Sequence, residues 1–204
     1  MEYITSVDEL RAITGEPGKI ALTKVQRELD EHAIDYIARS RFCLLATSGS
    51  NGSCDVSPRG EPGSIALVLD ARTLVLPDRP GNKRHDSLSN ILENPNVGLL
   101  FLMPPMTETL RVNGSARLVR DAPYLADLAV DGRPPRFAVE VTVEEVYLHC
   151  AKAFLRSGLW QPDSWAERES LPSAAQIWRD HARLSAEVAA IEANLEEGYR
   201  TTLY

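Results

Sequence analysis

Two short stretches carry the residue types that an anionic small molecule needs. Ser57-Pro58-Arg59-Gly60 joins a hydroxyl, a planar guanidinium fork and a glycine that lets the backbone come close to a ligand. Asp78-Arg79-Pro80-Gly81-Asn82-Lys83-Arg84 sets three cations, an amide and a glycine turn just before a short helix near Asp86. The free N–H groups at the start of such a helix attract anions. Phosphate binding is the chemistry both stretches support. The plain alternatives are a turn that happens to contain Arg and a solvated basic loop. Together they favour a phosphorylated small ligand, because two strand ends of one barrel can face one pocket. A third group is Lys152, Arg156 and Trp160. Its two cations stand four apart and so share a helix face, and its indole could stack on a flat ring or simply pack in the core.

Other chemistry is missing from the 204 residues. There is no GxGxxG, and Gly15-Glu16-Pro17-Gly18-Lys19 is too short to be a phosphate loop. Neither a GxSxG elbow nor an HExxH zinc helix occurs. His32, His85, His149 and His181 are scattered, so surface or structural roles are expected for them rather than metal ligation. Cys43, Cys54 and Cys150 form an odd set without ligand spacing and read as free buried thiols in a reducing cytoplasm. The net charge of −7 argues against non-specific nucleic-acid or anionic-membrane binding. The longest apolar run, Val97 to Met103, is far shorter than the ~20 residues of a membrane span. No signal peptide is evident in the first residues, so a cytoplasmic location is expected. Residues 1–40 and 121–204 carry −3 and −6, whereas residues 41–120 carry +2. The middle of an acidic protein is locally basic.

The elements that must position these groups follow from periodicity. Ser6 and Glu9 suggest a capping box for a helix to about Ile13, and Val25 to Arg39 reads as a second helix with Leu29, Ala33, Ile34 and Ile37 on one face. From Phe42 the pattern becomes strand-like. Phe42 to Thr47 is followed by a Ser48-to-Gly52 turn and a returning strand Cys54 to Ser57, broken by Pro58. Ile65 to Leu69 and Thr73 to Leu76 form a hairpin, and Asp86 to Glu93 is a short helix. Val97 to Leu102, Thr109 to Val119 and Phe137 to Leu148 complete the strands, with a helix from Ala122 to Val130 between the last two. Ala174 to Glu197 is helical in spacing. Mostly antiparallel strands with helices at the ends predict a small barrel rather than a doubly wound sheet.

Five ordered stretches resemble the pyridoxamine phosphate oxidase-like flavoproteins over roughly residues 40 to 160. They are Phe42 to Thr47, Asp55 to Gly60, Thr73 to Arg84, Ser87 to Pro95 and Leu110 to Ala116. The resemblance, nearest to an uncharacterised bacterial branch, implies an α+β fold: an antiparallel split β-barrel with helical N- and C-terminal extensions. It implies a homodimer with FMN at the interface. By that likeness Ser57 and Arg59, with Asn82, Lys83 and Arg84, hold the flavin phosphate and ribityl chain. Backbone around Leu76, Pro77 and Asp78 lines the ring edge, and Lys152, Arg156 and Trp160 approach the flavin from the partner chain. Arg111 is the substrate-side candidate. The family's oxidase carries a C-terminal Arg-x-His stretch that is not found here, so oxidation of vitamin B6 is not expected.

The expected arrangement is one structural domain, with residues 1–40 a helical extension packing on the barrel, 41–160 the FMN-binding barrel and 161–204 a helical C-terminal extension. The expected function is FMN-dependent oxidoreduction of an unidentified small molecule, with the flavin carrying the redox chemistry. A non-catalytic carrier or sensor is the alternative, as is another ligand of this fold, deazaflavin or haem. Haem would want His85 or His149 as an axial ligand.

Overall fold

The computed structural model describes residues 1–203. Helices α1 (Val7–Thr14), α2 (Lys19–Thr23) and α3 (Glu31–Arg39) precede strands β1 (Phe42–Ser48), β2 (Cys54–Gly60), β3 (Leu67–Asp70) and β4 (Thr73–Pro77). Helix α4 (Asp86–Glu93), strands β5 (Asn96–Leu102), β6 (Thr109–Val119) and β7 (Ala138–His149) follow. Helices α5 (Lys152–Ser157), α6 (Ala174–Ala182) and α7 (Val188–Thr201) close the chain. All seven strands form one antiparallel sheet in the order β2-β1-β5-β6-β7-β4-β3. With its flanking helices this is an α+β split barrel, as the sequence predicts.

Alternation builds the interior. Cys43 and Leu45 of β1, Leu99 and Phe101 of β5, and Val112 of β6 point inward, with Val139, Val141 and Val143 of β7 beside them. Ala33, Tyr36 and Ile37 of α3 and Leu88 and Ile91 of α4 pack on the same core. The β6–β7 pair bulges between Asn113 and Gly114, where β7 comes so close that a Cβ at Gly114 would collide with the Thr142 carbonyl. Only glycine fits there.

Several boundaries differ from the periodicity reading, each for a local reason. The predicted Val25-to-Arg39 helix begins only at Glu31, because Asp30 caps it by accepting from the Ala33 N–H at 2.8 Å. Residues before it run extended, and Gln26 exchanges two 2.9 Å backbone hydrogen bonds with Val146. Tyr36 takes the inward place expected for Ile34, which is exposed. Strand β2 runs through Pro58 to Gly60 instead of stopping at Ser57. It lies at the sheet edge, where a missing N–H is tolerated. The second hairpin's first strand starts at Leu67 rather than Ile65, and Ile65 is buried in the core instead. The predicted Ala122-to-Val130 helix is a 3-10 turn, Pro123–Leu128, with Leu125 covering Val75 and Ala138. The C-terminal helical stretch is broken in two at Arg183, which adopts a left-handed φ of 53°. Helix α2 falls where the sequence pattern predicts no element. Neither it nor α1 buries a residue.

Candidate functional site

Strand β2, the end of β4, the loop after it and the start of α4 enclose a cleft of about 460 Å³. That is within the range of small-ligand sites, roughly 300–1,000 Å³. Its walls include Ser57, Arg59, Pro77, Asp78, Asn82, Lys83 and Arg84. The two anion-binding stretches named from sequence therefore converge on one space. Period 2 along β2 puts Asp55, Ser57 and Arg59 on its partly buried face, with Val56 and Pro58 outward. Of the expected ring-edge residues Leu76, Pro77 and Asp78, Leu76 is the exception, since it is buried in the core and does not line the cleft.

The charges are less one-sided than the sequence suggested, for four Lys and Arg side chains face four carboxylates in the lining. Arg79 is committed to the fold. Its Nε and Nη2 donate to Glu61 at 2.8 and 2.9 Å, and Nη2 also donates to the Leu128 carbonyl at 2.6 Å. Arg84 donates to Asp86 at 2.9 Å and stays largely in solvent. Arg59 stands 3.6 Å from Asp78, yet its buried Nε has no hydrogen-bond partner. Lys83 makes no ion pair among the described residues. Burial pushes the Asp78 carboxyl above its usual range, although Arg59, His85 and Arg79 oppose this.

Helix α4 opens toward the same space. Its N-cap, His85, sits at φ 58° and offers no side-chain cap, and Lys83 two residues earlier has φ 61°. Two non-glycine residues in left-handed conformation within three positions mark a strained loop at the cleft wall. Asp86, Ser87 and Leu88, whose N–H groups start the helix, line the cleft. Ser87 belongs to a polar cluster centred on Asp55, which also lines the cleft; apart from Ser57, its members are not among the site residues expected from sequence. Asp55 accepts from Thr47 at 2.8 Å, from Ser87 at 3.0 Å and from Asn90 at 2.8 Å. Ser87 is also 3.0 Å from Ser57. The signal for Ser87 and Asn90 was their helical spacing on α4, but their partners come from β1 and β2.

The third sequence group lies elsewhere in the chain. Lys152 and Arg156 do share a face of α5, and with Arg111 they rim a separate cavity of about 460 Å³ floored by Leu44, Ala46 and Leu100. Trp160 does not join them. Its Nε1 donates to the Met106 carbonyl at 2.9 Å and its ring packs on Phe154. Of the two histidines, His85 lines the first cleft and His149 the second cavity. Partial burial, then Arg111 and Lys24, hold the His149 imidazole below its ordinary 6.5. The folded chain thus disfavours the protonated ring, and the stability this contributes is complete above pH 6.5 and lost as pH falls through the folded value. The urea midpoint is expected to fall as pH is lowered below 6.5, and His149→Gln to flatten that slope; an unchanged slope would refute the assignment. All three cysteines are free, but only Cys43 is buried as expected, and burial pushes its thiol up to about 12; Cys54, at the start of edge strand β2, and Cys150, just past the end of β7, are exposed. No group of three or more metal-ligating side chains occurs among the described residues, and no helix among them is long and apolar enough to cross a membrane.

An antiparallel sheet with flanking helices defines an α+β split-barrel protein, with a polar cleft at the end of β4. The pattern of the pyridoxamine 5'-phosphate oxidase family matches residues 29–150, well over half of the chain, and the chain belongs to that family. The match includes the cleft and stops short of Lys152, Arg156 and Trp160. Among solved structures, HupZ of Group A Streptococcus is 18% identical over 59% of this chain and 93% of its own, with a TM-score of 0.48. A putative pyridoxamine 5'-phosphate oxidase of Lactobacillus delbrueckii is 23% identical over 60% and 99%, with a TM-score of 0.46. An FMN-binding protein of Syntrophomonas wolfei is 11% identical over 57% and 88%, with a TM-score of 0.43. No curated protein matches.

Proposed function

We propose that the chain binds FMN in the β2–β4–α4 cleft and serves as an FMN-dependent oxidoreductase for a small molecule other than pyridoxamine phosphate. The observation that carries this reading is Arg59. Its buried Nε lacks a partner at the wall of a cleft that also holds the unpaired Lys83. A buried donor without an acceptor costs about 1–3 kcal/mol, and an anionic ligand oxygen removes that cost. Arg59 and Lys83 would hold the phosphate, aided by the uncapped start of α4. Asn82 is already engaged through Oδ1, which accepts from the Arg84 N–H at 3.0 Å, so its amide nitrogen is the group left for the ligand. Pro77 and Asp78, at the end of β4, would border the ring.

When bound, the flavin supplies the electron-transfer chemistry, and the protein supplies grip, orientation and a shaped space. We further propose a homodimer. The basic-rimmed apolar cavity beside α5 and the exposed Leu155, Leu159 and Trp165 in and just after that helix support a second copy covering this side. In that assembly Lys152, Arg156 and Arg111 would act from the partner's side of the flavin.

The test is the visible spectrum of freshly purified protein, with mass identification of any molecule released on denaturation and the oligomeric state by light scattering. Stoichiometric FMN on a dimer supports the reading. A colourless protein that takes up no added FMN overturns it, and a haem or deazaflavin spectrum replaces the cofactor.

A further inference from the structure

We propose that Asp55 orders a chain of hydroxyl hydrogens that makes Ser57 an acceptor toward the ligand, so that Ser57 meets an uncharged donor of the flavin and not its phosphate. This rests on the flavin reading above and narrows the role that the resemblance implies for Ser57, from phosphate and ribityl chain together to the uncharged part of the ligand.

As a carboxylate, Asp55 offers lone pairs only. Its Oδ2 accepts from the Asn90 amide at 2.8 Å, and its Oδ1 accepts from the hydroxyls of Thr47 and Ser87 at 2.8 and 3.0 Å. Thr47 and Ser87 are both buried, so neither hydroxyl has ready access to water as an alternative partner. The Ser87 oxygen also lies 3.0 Å from the Ser57 oxygen. Each hydroxyl owns one hydrogen. That of Ser87 goes to the carboxylate, since hydrogen bonds to an ionised acceptor are about twice as strong as neutral ones. The Ser57–Ser87 contact must then be filled by the Ser57 hydrogen. What Ser57 has left for the cleft is its lone pairs.

A phosphate also presents only lone pairs, so the two would repel. A ribityl hydroxyl or a ring N–H would donate to Ser57 and fit. The phosphate is left to Arg59, whose Nε has no partner although its Nη1 lies 3.6 Å from Asp78, and to Lys83. Asp55 touches no ligand in this scheme and is a positioning residue.

The experiment titrates FMN and riboflavin, which lacks the phosphate, into the full chain and its Ser57→Ala, Asp55→Asn and doubly substituted forms, following flavin fluorescence. Ser57→Ala is expected to weaken both flavins by the same factor, about twofold to tenfold. Asp55→Asn is expected to weaken both when Ser57 is present and to add nothing when Ser57 is alanine. A Ser57→Ala loss seen with FMN but not riboflavin would place the phosphate on Ser57 and overturn the proposal while leaving the flavin reading intact. No loss with either flavin, or additive losses in the double variant, would overturn it as well. If Asp55→Asn fails to fold, the Ser57→Ala comparison alone decides. Wild-type protein that binds neither flavin would remove the flavin reading itself.

Discussion

Glu61→Ala is expected to be among the most destabilising single changes near the cleft, lowering stability by about 3–5 kcal/mol. The side chains of Glu61 and Arg79 are only 5% and 16% exposed, and their two hydrogen bonds tie β2's end to the loop after β4. Removing the carboxylate leaves the guanidinium facing low-dielectric surroundings with the Leu128 carbonyl as its remaining partner. For a chain of this size each kcal/mol moves the thermal midpoint by about 2–4 °C, so a drop of roughly 6–20 °C should be seen by circular dichroism. The double change Glu61→Leu with Arg79→Met should recover most of it, because a well-packed apolar pair avoids the desolvation cost of two charges. A single variant that melts with the wild type would show that the pair contributes nothing to the fold.

The second large effect is on ligand affinity. Arg59→Gln and Lys83→Gln should each weaken FMN by roughly 10- to 150-fold, since hydrogen bonds to charged groups contribute about 1.5–3 kcal/mol. Together they should cost at least ~10²-fold, while riboflavin affinity changes far less. Arg84→Gln is the control. Its guanidinium already serves Asp86 and is 72% exposed, so its loss should alter FMN binding less than about fivefold. Isothermal titration of the three variants checks all of this. FMN affinity that survives the Arg59/Lys83 change would move the phosphate to another part of the molecule.

These two experiments separate arginines that look equivalent in sequence. Arg59, Arg79 and Arg84 all sit in polar, glycine-containing stretches, and composition assigns each the same capacity for an anion. What distinguishes them is a partner. Glu61 is 18 residues from Arg79 and Leu128 is 49 residues away, so nothing local announces that Arg79 is occupied. Local signals did succeed where the cause is local. Helix α4 spans Asp86–Glu93 and β6 spans Thr109–Val119, both as periodicity predicts. The Asp55 cluster was hidden for the opposite reason. Its members come from β1, β2 and α4, and each is an unremarkable polar residue until the fold assembles them. The i, i+4 spacing of Lys152 and Arg156 correctly placed them on one face, but only the tertiary fold shows that within the chain this face looks into a different cavity from the one holding Arg59.

The proline inside β2 has a meaning beyond the boundary it shifted. An outermost strand normally advertises a row of spare amides to any other extended chain, and crowded proteins stick together through such rows. Pro58 removes one amide from the middle of that row, and Arg59 sets a charge beside it. A neighbouring strand that tried to zip onto β2 would meet a gap halfway along. A strand that forms one wall of the cleft is thereby guarded against fibril growth, and Pro58→Thr should trade a harmless-looking substitution for a protein that clouds on concentration.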